Sequence, residues 1–241
     1  MRQIIIIAKR ELQAFFDSLV AYIMLAAFLG FSGFFTWLYG ADVFLRNQAD
    51  LQTFFGIAYW TLFFFIPALT MKMLAEEKKT GTIELLFTKA ITDWQIVFGK
   101  FLACLALVFI ALLFTVPYYL TVWKLGPVDH GAVFCGYLGL IMMSATYISI
   151  GIFASSVTNN QIVAFLFSLF AGMFFHILFD VLARSFTGGL AETLSYLSVS
   201  SHYDSISRGV IDSKDIIYFL SVIFMALFLS EVSLAKRNLQ S

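Results

Sequence analysis

The chain has 241 residues, 61% of them hydrophobic and only 12% charged, and its formal net charge is zero. A soluble domain is roughly half apolar and about a quarter charged, so this composition excludes an ordinary soluble protein and points to an integral membrane protein. Zero net charge gives no attraction to nucleic acid, and the 29 Phe are acyl-facing bulk rather than chemistry.

The first element is residues 1–17. Ile5, Ala8, Leu12, Phe15, Phe16 and Leu19 recur at helical spacing, with Lys9, Arg10, Gln13 and Asp17 on other faces. That pattern predicts an amphipathic helix lying in the membrane interface. Its apolar run in "MRQIIIIAKREL" is too short for a signal-peptide core. Runs free of Asp, Glu, Lys and Arg then mark the spans. They hold 24 residues before Asp42, 21 before Lys72 and 23 before Lys124. Each is long enough to cross a hydrocarbon core of ~30 Å. The run from Asp129 to Asp180 holds 50 residues and is divided by "SSVTNNQ", Ser155 to Gln161, where Thr158 and Gln161 fit a capping box. A last run, Ile216 to Ser230, reaches spanning length by continuing through Glu231. The expectation is an all-α polytopic membrane protein forming one domain over 1–241. Its six transmembrane helices lie near 19–39, 52–72, 95–122, 132–155, 160–182 and 215–235.

Six spans put both termini on one side, and ten of the fifteen Lys and Arg then fall in the inner segments. The positive-inside rule makes the termini cytoplasmic. The long loop 183–214 is then extracytoplasmic. Asp204 is a candidate cap for a short helix in it closed by Gly209, and Asp212 or Asp215 for the last span.

The segment 76–90, "EEKKTGTIELLFTKA", joins the second and third spans on the inner side. Its lysines set orientation. Gly81 and Thr82 open a short helix with Glu84 near its N-terminus, where the dipole favours an anion. Ile83, Leu86 and Phe87 share one face, and Leu85 lies off it. Thr92 and Gln95 form a further capping box leading into the third span. An ordered apolar face on a polar loop suits docking to a soluble partner.

"EEKKTGTIELLFTKAITDWQIVFGKFLA" resembles the segment between the second and third helices of ABC-2 type transporter permeases. Ala90 departs from the pattern, since many relatives carry Pro there. The resemblance implies an ABC-2 type, type V exporter-like, transmembrane fold. It also implies a coupling helix that contacts a separate ABC ATPase subunit through Glu76, Glu77, Gly81, Thr82, Ile83, Glu84, Leu85, Leu86 and Phe87. "HYDSISRGVIDSKDIIYFLSVIF", His202 to Phe224, is similar to the end of the gliding-motility permease GldF of Bacteroidota-type bacteria. That likeness implies a GldA-like ATPase, a GldG-like subunit or second permease copy, a location in the bacterial inner membrane, and either ATP-driven export or mechanical work, or a non-transporting scaffold of a motility or secretion complex. The sequence has no G-x-x-x-x-G-K-[ST], because Gly99-Lys100 is followed by Phe101. The chain therefore carries no cofactor site of its own, and ATP and Mg are implied on the partner.

Other residues are weighed on their surroundings. Asp180 and Arg184, at i and i+4, read as an interfacial ion pair, with a functional intramembrane site as the alternative. His176 reads as hydrogen-bonded between helices, with a proton relay as the alternative. Pro67 and Pro117 read as kinks satisfied by neighbouring helices, with a gating hinge as the alternative. Gly136, Gly139, Ser144, Gly151, Ser155 and Ser156 read as a close-packing surface, within the bundle or across a dimer. Cys104 and Cys135 read as buried small hydrophobes, and Ser200, His202 and Asp204 as an alternation without catalytic geometry.

Overall fold

The computed structural model describes residues 2–39, 48–82 and 91–238, and among these there is no strand. Helix α1 is Arg2–Asp17 and α2 is Leu19–Trp37. After Gln52–Thr70 (α3), a turn leads into the short Ala75–Thr80 (α4). Asp93–Leu113 (α5) and Val116–Leu125 (α6) follow, then His130–Val157 (α7). Gln161–Met173 (α8) runs through a π-helical turn, Phe174–Leu178, into Phe179–Ser185 (α9). Gly189–Leu197 (α10), Val199–Ser207 (α11) and Ser213–Asn238 (α12) complete the chain. Among the described residues, six stretches are long and apolar enough to cross a membrane: Leu19–Trp37, Gln52–Thr80, Asp93–Leu125, His130–Val157, Gln161–Ser185 and Ser213–Lys236. The end of the bundle that carries α1 is called basal below, and the opposite end distal.

Helix α7 is the axle. Its residues are apolar or small on every face, which is the signature of a helix surrounded by protein. It packs against α3, α5, α8, α11 and α12. The small residues of α7 are used inside the bundle. A Cβ added at Gly136 would lie 2.5 Å from the Phe55 ring, and one at Gly151 2.0 Å from Thr70 Oγ1. Gly139 meets Tyr203 of α11. In lipid, helices gain little from hiding apolar surface, so such close approach is what holds them together.

The helix starts follow local chemistry. Thr92 Oγ1 accepts from Gln95 N–H and Gln95 Oε1 from Thr92 N–H, both at 3.3 Å. Asp129 Oδ1 caps α7 through Gly131 and Ala132 N–H. At α8 the expectation of a Thr158–Gln161 box is corrected. Asn160 is the cap, accepting from Ile162 N–H at 2.9 Å, while Thr158 accepts from Asn160 N–H. Asn160 stands directly before Gln161, so its side-chain oxygen reaches the free Ile162 N–H, whereas Thr158 already ends α7 in extended geometry. Asp204 is likewise not a cap. Ser198 caps α11 and Asp204 sits inside it, while Gly209, at φ +92°, follows its end. Asp212 caps α12 through Lys214 N–H, and Asp215 is left free for another bond.

Two further differences have physical causes. The run 95–122 is interrupted at Phe114–Thr115. Pro117 cannot donate to the carbonyl one turn earlier, and Tyr137 Oη of α7 binds the Thr115 carbonyl at 3.3 Å there. The buried face of α1 is Ile7, Glu11 and Phe15, whereas Ile5 is 64% exposed. Of the expected stripe only Phe15 is fully buried, because the bundle below α1 offers Gly99 to Ile7 and Lys100 to Glu11. In agreement with the apolar residues of the loop 183–214, which suggest a helical excursion packed on the bundle, this loop is mostly helical and α11 packs on α7.

Gly151→Ala pushes a Cβ into the stiff, β-branched Thr70 and is expected to cost about 1–3 kcal/mol. Gly56→Ala, where nothing lies within 4 Å of the added atom, is expected to cost nothing. Thermal unfolding of the two variants in detergent checks the contrast.

Candidate functional site

The basal end concentrates the molecule's buried charge. Lys100 lies two turns into α5, in the register set by the Thr92–Gln95 cap. Only 1% of its side chain is exposed. Its Nζ donates to Glu77 Oε1 of α4 at 2.7 Å and sits 3.4 Å from Glu11 Oε1 of α1. Arg10 closes the group, 2.5 Å from Glu11 Oε1 and 3.8 Å from Glu77 Oε1. Two carboxylates and two cations from three helices thus balance within one site. Burial pushes the Glu11 carboxyl up, but Lys100 and the Arg10 hydrogen bond and charge outweigh it and hold Glu11 below the usual glutamate range. Lys72 sits over the Phe15 ring at 5.5 Å, a cation–π contact between the turn and α1. A pocket of about 170 Å³ remains between α1 and α4, with Glu76, Thr80 and Thr82 at its rim.

A second knot fixes α4 to the axle. Ser155 Oγ of α7 accepts from Leu74 N–H at 3.0 Å and Ala75 N–H at 2.9 Å, and donates to the Met71 carbonyl at 3.0 Å. These are the free backbone groups of a turn and a helix start, which must find partners when buried. Lys78 Nζ donates to the Ser156 carbonyl, which also accepts from Ser233 Oγ of α12. Gly81, expected to open the next helix, closes α4 at φ +72°, a conformation suited to glycine. Thr82 is helical again. Glu76, Lys79, Thr80 and Thr82 are exposed, while the Glu77 carboxylate is turned onto Lys100. Ile83, Glu84, Leu85, Leu86 and Phe87 lie outside the described residues.

A family model described as an ABC-2 family transporter protein matches residues 7–238. The chain belongs to that family. No curated protein matches it. An ABC-2 permease is the multi-pass membrane component of an ABC transporter, without ATPase motifs of its own, and the family implies an ABC ATPase partner.

At the distal end Arg184 and Asp180 form an i, i+4 ion pair at 2.8 Å, largely exposed and so of modest worth. His202 does not pair with Asp204. Its Nδ1 lies 2.6 Å from Asp215 Oδ1 and its Nε2 3.0 Å from the Tyr196 carbonyl. Burial lifts the Asp204 carboxyl above the usual range, against the pull of Arg208. His176 is buried, its Nδ1 facing the hydroxyls of both Tyr59 and Tyr147.

Glu11, Lys100, Ser155 and Ser156 were not singled out from the sequence for these contacts. A signal existed for two of them. Lys100 stands inside an otherwise apolar helix, and a charge there needs a partner. Glu11 interrupts the apolar stripe of Ile7 and Phe15 at helical spacing.

Lys100→Met leaves Glu11 and Glu77 facing each other without their shared cation, and a loss of about 3–5 kcal/mol is expected, read as a lowered unfolding temperature at neutral pH. The lowered Glu11 value also fixes a pH response. Its contribution is complete above the unfolded glutamate value of about 4.3 and is lost as pH falls through the lower folded value. A melting curve series from pH 6 down to about pH 3 checks this: Glu11→Gln is expected to flatten the acid limb.

Proposed function

We propose that this permease subunit couples ATP hydrolysis on a separate ABC ATPase to movement of its bundle, through the segment 76–90. The observation that carries the reading is the fixation of α4. Its inward face is bound to α5, α7 and α1 by Lys100, Ser155 and Arg10, while its outward residues Glu76, Lys79, Thr80 and Thr82 are exposed. A force applied to Ile83–Phe87 by the ATPase passes through Gly81 into α4 and, by these polar contacts, into the axle. The work is transport or a mechanical displacement in the membrane. Glu76, Gly81, Thr82, Ile83, Glu84, Leu85, Leu86 and Phe87 serve as the contact surface in this reading, and Glu77 as its tie to the bundle.

ATP and Mg act on the ATPase subunit. The positive-inside distribution supports a cytoplasmic basal end, with both termini there, in a bacterial inner membrane. One bundle of six spans is completed by a second permease copy or a related subunit. The likeness of His202–Phe224 to GldF supports the finer assignment to gliding motility, with GldA-like and GldG-like partners.

Affinity purification from native membranes is expected to bring down an ABC ATPase with this chain. Leu86→Asp together with Phe87→Asp is expected to release it while the permease still folds. A purified chain that never carries an ATPase, or an ATPase whose retention and turnover ignore the substitutions, overturns the reading.

A further inference from the structure

The distal half of the fifth span is attached to the molecule in an unusual way. Of the residues from Met173 to Leu197, only His176 is buried. Helices α9 and α10 pack on each other, and neither contains a buried residue. Their far end is tied down by two carbonyls: that of Tyr196 faces His202 Nε2 at 3.0 Å, and that of Leu197 accepts from Tyr218 Oη at 2.7 Å. The stretch between is a strap held at its ends.

His176 lies within the π-helical turn Phe174–Leu178. A π turn holds one residue more than the α-helix and is poorly stable by itself, so it persists where side-chain contacts favour it. The contacts here are specific. The His176 ring is surrounded by Tyr59 and Phe63 at 4.4 and 4.8 Å between centroids, with Trp60 at 4.9 Å and Tyr147 at 5.9 Å. Its Nδ1 faces the hydroxyl of Tyr59 on α3, at 3.0 Å, and that of Tyr147 on α7. One ring nitrogen offers one proton or one lone pair, so two hydroxyls compete for a single strong bond. Either tyrosine alone can supply it.

We propose that Phe174–Leu197 is a hinged strap latched at His176 by a bond that either Tyr59 or Tyr147 can supply, and that release of His176 from both hydroxyls lets the strap swing away from α3 and α7. The hinges are the π turn on one side and Tyr196–Ser198 on the other. With the latch closed, His176 fills the space between α3 and α7 near the distal end. With it open, that space joins the distal surface. The device is independent of the ATPase contact at the basal end, and it stands whichever way that contact is used.

Hydrogen–deuterium exchange of the full-length protein in lipid nanodiscs tests it, with the amides of α7 as the reference for an intact bundle. Tyr59→Phe and Tyr147→Phe keep ring volume and remove one hydroxyl each. Each single variant is expected to leave exchange in 174–197 near the native rate. The double variant is expected to speed it about five-fold or more, the change that follows from losing one hydrogen bond of ~1 kcal/mol net, with α7 unchanged. His176→Phe is expected to match the double variant. The proposal is overturned if the double variant exchanges like the native protein. It is equally overturned if either single variant already opens the strap as far as the double one, or if α7 loses protection together with the strap in the double variant.

Discussion

An ammonium group two turns inside a span is held there only by the carboxylates that meet it. Removing such a charge from water costs several kcal/mol, and ion pairing must offset it. Lys100 satisfies this with one acid from α1 and one from α4. The consequence is positional. Helix α1, the end of the second span and the start of the third are fixed at one level because their charges share one site. The Thr92–Gln95 cap sets the register that brings Lys100 to that level. Arg10 balances the remaining charge.

The rest of the bundle is organised by closeness rather than by burial of apolar area. Lipid solvates Leu and Phe as well as a helix neighbour does, so contact between spans depends on small residues and hydrogen bonds. Gly136 admits the Phe55 ring and Gly151 admits Thr70. Ser155 then uses the same approach to satisfy the backbone of the turn before α4. A larger side chain at Gly151 would push α3 outward, and the hydrogen bonds of Ser155 would lengthen with it. Packing in the middle of the membrane and fixation of the basal segment are therefore one problem.

The two ends of the molecule differ in how firmly they are held. At the basal end ion pairs, a serine clamp and a lysine–carbonyl bond converge on six residues of helix. At the distal end a stretch of three helical pieces is tied by one buried histidine and two carbonyl contacts. Under the proposed coupling, force enters at the firmly held end, and the more weakly attached distal stretch yields first.

The number of spans and their approximate limits were legible in the chain because a bilayer demands long uncharged runs, and such runs can be counted without knowing any contact. The helix start at Thr92 was legible for a similar reason, since a capping box is local chemistry. The cap of α8 was misread at Thr158 because Thr158 and Asn160 stand two apart, and only the path of the chain shows which one borders the helix. The buried face of α1 was misread because helical spacing offers several apolar stripes, and the choice was made by Gly99 and Lys100 on another helix. The alternation Ser200, His202 and Asp204 was rightly given no geometry, and His202 meets Asp215 instead. Distance along the chain does not measure distance across a turn. The sequence by itself determined that this is a six-span membrane permease with a charged basal segment. Only the tertiary structure decided which charges meet, because that depends on where separate helices come to lie beside one another.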